Sequence, residues 1–387
     1  MKIAIDCRMA ASKRKGGISL YTYSLVHNLA KIDDENSYLL YLFKSRNFIK
    51  DYREIKSRFS RHKNFRITGK LFSSEIVRLL TEKLIPLELL TGGADVIHIP
   101  HPASPITLKA KLVTTIHDLI HVVPETDKWH YPRKSIKTRK KLRESILKSD
   151  MLIADSESTK NDIMKYFAVD PSKISVIYLG LDADIFHIPE NAGEKENILE
   201  KYKISKKYIF FVGTLHPRKN IVRVLSSFEK IKKRFGDYQL VIAGKKGWLY
   251  EDFFEKLGKL PPDIRDDIIL AGYTPLDDIP YLYNGAALSL YPSLYEGFGL
   301  PILEAMACGC PVITSNLSSM PEVAGGAAIL VDPYNVEELS SAIEKVLSDG
   351  QLRQELQDKG LERVKSFSWQ KTAKETLQVY KEVCGSL

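Results

Sequence analysis

The stretch YPSLYEGFGLPILEAMACGCP, Tyr291 to Pro311, sets two carboxylates, Glu296 and Glu304, around one helix start with seven residues between them. The apolar run Leu288 to Tyr291 reads as a buried strand, Gly297 and Gly299 punctuate a loop, and Pro301 stands where a first helical residue belongs. Gly309 ends that helix after about two turns. Glu296 then lies on the loop and Glu304 in the first or second helical turn. Both fall at the C-terminal edge of a parallel sheet, where open α/β folds bind their ligands. The helix N-terminus beside them offers N–H groups and a positive dipole end to a phosphate. A carboxylate nearby suits a neutral polyol such as ribose or a sugar, because it accepts hydrogen bonds from paired hydroxyls.

A second constellation, FFVGTLHPRKN from Phe210 to Asn220, reads as a strand running into a glycine turn and then a helix. Gly213 lets the backbone approach an anion, while Arg218 and Lys219 supply cations to a diphosphate leaving group. Cations at a helix start oppose its dipole, which weakens the reading of this pair as ordinary surface charge. In the first half of the chain, LVTTIHD brings His117 and Asp118 to the C-terminal end of a strand, with Asp118 placed to orient the imidazole through a ring N–H. Asp155 and Ser156 end another strand and read as caps of the helix that follows. GGISLYTYSL sets Gly16 and Gly17 ahead of a helix; lacking a third glycine, it is not the dinucleotide fingerprint, which argues against a dehydrogenase. No metal site is expected, since His98, His101 and His121 fall on different elements without ligand spacing. Asp182 and Asp184 spell an Asp-Ala-Asp pattern used for divalent cations in single-domain transferases, but the rest of the chain does not fit that architecture.

Short apolar strands alternate with amphipathic helices twice over, in seven candidates between Ile3 and Tyr178 and six between Tyr208 and Val331. Such alternation calls for parallel sheets with helices on both faces. The polar stretch Pro189 to Ile204 reads as a linker leading into a helix. The predicted domains are 1–187 and 188–366, followed by a terminal helix within 367–387. A chain of 387 residues exceeds one ordinary core, and 44% hydrophobic content with a mean hydropathy of -0.18 describes a water-soluble globular protein. Charge interrupts MKIAIDCR too early for a signal peptide, and no apolar run approaches the ~20 residues of a spanning helix. Cys7, Cys308, Cys310 and Cys384 lack CxxC spacing and read as reduced thiols of a cytosolic protein, Cys308 and Cys310 being small packing residues.

The net charge of +9 implies an anionic partner. RKSIKTRKKLRESILK, Arg133 to Lys148, carries eight cationic side chains against Glu144 alone, and Lys44 to Lys70 is a second basic source. A solvated helix face and attraction to an anionic membrane surface or lipid-diphosphate acceptor are both open readings. No nucleic acid is expected, because the basic runs lack an aromatic RNA-binding pattern or zinc-ligand spacing.

EGFGLPILEA followed by GCPVITS resembles the signature of the retaining nucleotide-sugar glycosyltransferases of family four, the glycosyl transferases group one, of a mannosyltransferase-like kind. The resemblance implies a GT-B fold: α/β, with two Rossmann-like doubly wound parallel-sheet domains facing a cleft. It puts the donor mainly on the second domain, the acceptor on the first, and the terminal helix back against the first. It implies that Glu304 binds ribose, that Glu296 touches the donor sugar, and that Phe298, Gly299 and Leu300 make backbone contacts to sugar or phosphate. In the family an Arg follows the glycine and a Lys comes five residues later; here Thr214 and Lys219 occupy those positions, and Arg218 takes the Arg role. Gly16 and Gly17 match the loop over the donor diphosphate, Gly213 its phosphate turn, Gly244 and Tyr273 the base pocket, and His117 a contact to a sugar hydroxyl. The implied activity is metal-independent transfer of a sugar, mannose included, from a nucleoside-diphosphate sugar that serves as co-substrate, with no cofactor. The implied acceptor is a hydroxyl of a glycan or lipid-linked molecule in cell-surface polysaccharide or glycolipid synthesis, at a cytoplasmic site that includes the inner membrane face. A sugar epimerase or phosphorylase on the same scaffold, and a non-catalytic nucleotide-sugar-binding subunit, are the alternatives.

Overall fold

Val96–Ile99, Leu288–Tyr291 and Val312–Ser315 are buried at every position, so each of these strands needs cover on both faces. The computed structural model, which describes residues 1–10, 17–44, 48–73, 81–129 and 132–385, shows how that cover arises. The chain divides into two compact units, Met1–Gly180 with Trp369–Leu387, and Leu181–Ser368. The division falls ahead of the Pro189 to Ile204 stretch, at a bridge between Leu181 and Ser368. Within that stretch Asn191 caps a helix over Ala192–Lys201 by accepting from Glu194 N at 3.1 Å.

The first unit holds β1 (Lys2–Asp6), β2 (Ser37–Lys44), β3 (Phe65–Ser73), β4 (Val96–Ile99), β5 (Lys111–Ile116), β6 (Met151–Ala154) and β7 (Ile174–Val176). They form one parallel sheet in the order β3-β2-β1-β4-β5-β6-β7. The second unit holds β8 (Lys207–Val212), β9 (Tyr238–Ala243), β10 (Ile268–Gly272), β11 (Leu288–Tyr291), β12 (Val312–Ser315) and β13 (Ile329–Val331), in the parallel order β10-β9-β8-β11-β12-β13. Every strand candidate forms a strand, and the fold is the expected pair of doubly wound, Rossmann-like sheets. In each unit the winding direction reverses once, between β1 and β4 and between β8 and β11; such reversals open a crevice at the carboxyl ends of the strands.

Register decides which residues leave the sheets together. Ile116 pairs with Ala154, so the next residues, His117 and Asp155, emerge side by side. Val212 pairs with Ala243, which brings Gly213 and Gly244 together in the same way. The helix Ile221–Ile231 buries Ile221, Val224, Leu225, Phe228 and Ile231 at helical spacing against Ile209, Phe211, Leu240 and Leu288. Asn220 begins it in the left-handed region, at φ 60°, and its Nδ2 donates to Pro292 O at 3.1 Å and Pro333 O at 2.6 Å. The loop after β8 is thereby tied to the loops after β11 and β13.

The terminal helix, Trp369–Val383, packs in the first unit against the helix Gly17–Ile32. Thr372 Oγ1 donates to Tyr178 O at 2.8 Å, and Tyr380 OH lies 2.6 Å from His98 Nδ1. His98 Nε2 meets Thr115 Oγ1 at 2.8 Å, and that hydroxyl meets Tyr21 OH at 2.9 Å. Burial, helped by the charge of His117, lowers the pKa of His98 to about 3. His98 is therefore a neutral crosslink between sheet and helices.

Candidate active site

At the β8/β11 reversal the two sequence constellations meet. Lys219 Nζ lies 2.6 Å from Glu296 Oε1 and 2.5 Å from Tyr291 OH, and 4.5 Å from the centroid of the Tyr291 ring. Arg218 pairs with the other carboxylate oxygen of Glu296 and donates Nη1 to Tyr295 O at 2.8 Å. Lys219 and Glu296 are each 8% exposed, so these charges interact with little solvent screening. Burial alone would raise the pKa of Glu296, yet Arg218 and Lys219 bring it down to about 2. Burial lowers Lys219 to about 8, with Glu296 opposing and Arg218 assisting. Glu304, one helix away, is pushed by burial up to about 7, against the pull of Lys219 and a hydrogen bond with Tyr283.

Serines missed in the sequence reading brace this loop. Glu296 N donates to Ser318 Oγ at 3.2 Å, while Ser319 Oγ lies 3.0 Å from Glu296 O and 2.5 Å from Phe298 O. The only sequence signal for them is their position shortly after β12. Phe298 turns its ring inward, 6.0 Å from that of Phe367, and leaves its backbone in the loop. Gly299, at φ 114°, turns the chain into the helix Leu300–Ala307, with Pro301 in its first turn. On the neighbouring strand ends, Gly244 N donates to Gly272 O at 2.7 Å, and Tyr273 beyond it is 69% exposed. Gly17 is the first residue of its helix, whereas Gly16 lies outside the described residues.

A second cluster occupies the carboxyl ends of β4, β5 and β6. His117 Nδ1 is 2.6 Å from Asp155 Oδ2, and Nε2 is 3.1 Å from Pro100 O. The imidazole and the Tyr21 ring meet in a T-shaped contact at a centroid distance of 4.8 Å. Burial would depress the His117 pKa, but the Asp155 charge and the Pro100 carbonyl raise it instead. Two expectations are corrected here. Asp118 does not hold the imidazole: its Oδ1 accepts from Ile120 N at 3.1 Å and the side chain is exposed. Asp155 does not cap the next helix, because Ser156 does so by accepting from Thr159 N at 3.0 Å.

At the β1/β4 reversal Asp6 is fully buried; Arg8 Nε lies 2.9 Å from both of its oxygens, and Arg8 Nη2 is 3.1 Å from His101 Nε2. This cluster was also missed, although a carboxylate ending the first strand two residues before an Arg is visible in MKIAIDCR. The Asp-Ala-Asp segment forms a turn in which Asp182 O accepts from Ile185 N at 3.1 Å and Phe186 N at 2.9 Å. Among the described residues, no group of three or more His, Cys, Asp or Glu is placed to hold a metal ion. Nor is any described helix long and apolar enough to cross a membrane. The basic run forms the helix Pro132–Lys148, on which Ile136, Lys140, Arg143 and Leu147 are exposed at helical spacing.

Two doubly wound parallel-sheet units of this topology have the GT-B fold. Residues 15–185 match the family described as Glycosyltransferase Family 4, and residues 194–363 that described as Glycosyl transferases group 1. The chain is 34% identical to O-antigen chain mannosyltransferase B of Escherichia coli over 276 residues, covering 70% of each chain. It is 28% identical to serotype-specific mannosyltransferase WbdA of Escherichia coli over 302 residues, 77% of this chain but 36% of that longer protein. A glycosyltransferase from Rickettsia africae ESF-5 superposes with a TM-score of 0.73 at 20% identity, over 99% of this chain and 98% of the other. The chain belongs to the group 1, family 4 glycosyltransferases.

Proposed function

We propose that this glycosyltransferase moves a hexosyl unit, mannose by analogy with its named relatives, from a nucleoside-diphosphate sugar to a hydroxyl of a glycan or lipid-linked acceptor in O-antigen-type polysaccharide synthesis. The observation that carries this reading is the buried Arg218–Glu296–Lys219 cluster at the β8/β11 reversal. Arg218 and Lys219 would meet the departing diphosphate, where the largest negative charge develops, and fixed cations in a site with little water are worth several kcal/mol there. Glu304, in the second turn of its helix, would accept from the ribose hydroxyls. The reading includes retention of configuration without a covalent intermediate, the leaving phosphate taking the acceptor proton on the same face, and no metal or other cofactor. Thermal-shift titration with UDP-, GDP- and dTDP-sugars, followed by transfer assays in EDTA and NMR of the product anomer, tests it. An inverted product would remove retention, and activity lost in EDTA and restored by Mn²⁺ would remove metal independence. Protection by no nucleotide sugar would remove the whole reading.

A pH dependence follows from Glu304 and Lys219. Glu304 accepts from both ribose hydroxyls most strongly when ionised, and its pKa is near 7; Lys219 attracts a diphosphate only when protonated, and its pKa is near 8. Affinity for a nucleotide sugar, whose doubly esterified diphosphate does not titrate here, should rise through pH 7 and fall beyond pH 8. On the acid side it should weaken by up to about tenfold per pH unit. Calorimetric titration of wild type and Glu304→Gln measures this; the variant should lose the acid limb alone.

The proposed location is the cytoplasmic face of an anionic membrane, reached through the exposed stripe of the basic helix. Lys and Arg near such a surface contribute about 1 kcal/mol each, and exposed Ile136 and Leu147 add apolar contact. Binding to phosphatidylglycerol vesicles should fall with added salt and with Lys140→Gln and Arg143→Gln, with nucleotide binding intact. Equal retention on neutral phosphatidylcholine vesicles would leave the helix as a solvated face.

A further inference from the structure

Asp155 directs its carboxylate at His117. Oδ2 lies 2.6 Å from His117 Nδ1, while Oδ1 is buried and takes no hydrogen bond from a described residue. The other ring nitrogen faces Pro100 O at 3.1 Å. A carbonyl oxygen only accepts, so Nε2 carries a proton, and the short contact to the carboxylate holds a second proton between Nδ1 and Oδ2. The parallel register of β5 on β6 sets this pairing, and the ring is wedged by Tyr21, itself backed by Trp369 at a centroid distance of 6.2 Å.

The titratable groups around His117 come from several elements: Tyr21 from the Gly17–Ile32 helix, His98 from β4, His101 from the loop after it, Asp118 from its own loop, and Asp155 from the end of β6. His98 and His101 are both held neutral by burial, with pKa values of about 3. Asp118 is exposed. Burial raises the Asp155 pKa, against the pull of the His117 charge and hydrogen bond, and Asp155 is the main counter-charge to the ring.

We propose that Asp155 is a positioning residue for the transfer reaction: it keeps His117 protonated on both nitrogens, so that Nε2–H can turn from the Pro100 carbonyl to a substrate hydroxyl. A ring in this state has no lone pair with which to act as a base, and the acceptor proton must leave by another route, such as the departing phosphate. The proposal rests on the transferase reading for its kinetic consequence but not for the charge state of the ring.

Long-range ¹H–¹⁵N NMR, with His117→Gln assigning the signals, reads that charge state directly. Wild-type His117 should show two protonated nitrogens at pH 7. Asp155→Asn, near-isosteric and uncharged, should show a neutral ring, and Asp155→Glu should restore the protonated one. At saturating donor, kcat of Asp155→Asn should fall on the order of 10- to 100-fold with donor KM little changed, the scale of a lost positioning contact. Its kcat profile should gain an inflection below the ordinary His pKa, because burial of the ring then acts without the Asp155 charge to oppose it. In the His117→Gln background, Asp155→Asn should cost nothing further. A neutral wild-type ring, or an Asp155→Asn penalty as large without His117 as with it, would overturn the proposal. Failure of the transferase reading would show separately, as wild type that turns over no nucleotide sugar, while the NMR result stands.

Discussion

Glu296→Gln is expected to abolish most turnover while leaving nucleoside-diphosphate binding intact or tighter. The Glu296 carboxylate pairs with both Arg218 and Lys219, the two cations proposed to meet the diphosphate, and offsets one of their two charges. Donor binding must then redistribute this ion pairing, and Glu296 competes with the phosphates until it turns to the sugar. A glutamine keeps the shape and one acceptor for Lys219 but removes the competition. We expect kcat to fall roughly 10²- to 10³-fold, the loss typical of one electrostatic group at a reacting centre. Diphosphate affinity should stay equal or rise by up to about tenfold, or ~1.4 kcal/mol. Leaving buried Lys219 short of its counter-charge should cost the free variant stability, by an amount below the ~3–5 kcal/mol of a fully orphaned charge, because the Tyr291 hydroxyl and ring remain beside it. Added UDP or GDP should therefore raise the melting temperature of the variant more than that of wild type. Parallel loss of activity and diphosphate affinity would show that Glu296 supports the cations instead of competing for them.

Gly244→Ala is expected to be among the most damaging single-methyl additions in the second unit. A Cβ at this position would lie 1.8 Å from Gly213 O and 2.6 Å from Gly213 C, backbone atoms that cannot swing aside, and Gly244 is at φ +155°. The strand ends would have to separate, carrying the loop that presents Arg218 and Lys219. The expected cost exceeds ~3 kcal/mol in denaturant unfolding, with nucleotide binding lost as well. Gly272→Ala supplies the contrast: it also has positive φ, at +66°, but no atom lies within 4 Å of its added Cβ, so about 1 kcal/mol is expected. Similar midpoints for the two variants would refute the steric argument. Gly244 is thus required by the close approach of the two strand ends.

The parallel sheets were legible because each strand is a short apolar run bounded by turn residues, and the Glu296/Glu304 loop was legible because glycine and proline mark both its ends. The chemistry between those residues was less so. Arg218, Lys219 and Glu296 could each be singled out, but their mutual pairing spans 77 residues and depends on β8 and β11 being neighbours. Asp155 shows the limit most clearly. An Asp-Ser pair at a strand end reads locally as a helix cap, and only the alignment of Ile116 with Ala154 reveals that the aspartate faces an imidazole while the serine does the capping. Ser318 and Ser319 carry no pattern of their own; their hydroxyls matter because β12 delivers them to the Glu296 loop.

The helix Trp369–Val383 belongs to the first unit although the whole second unit separates it from the rest of that unit. Its Tyr380 is 282 residues from His98, the imidazole it caps, so this contact closes a far longer chain loop than the 77 residues between Lys219 and Glu296. Closure entropy grows with loop length, and such distant contacts form late. During synthesis the ribosome makes all of Leu181–Ser368 before Tyr380 exists. The second unit can therefore be complete while the first still waits for its last helix, with the polar interior at His98, Thr115 and Tyr21 open to water until that helix arrives.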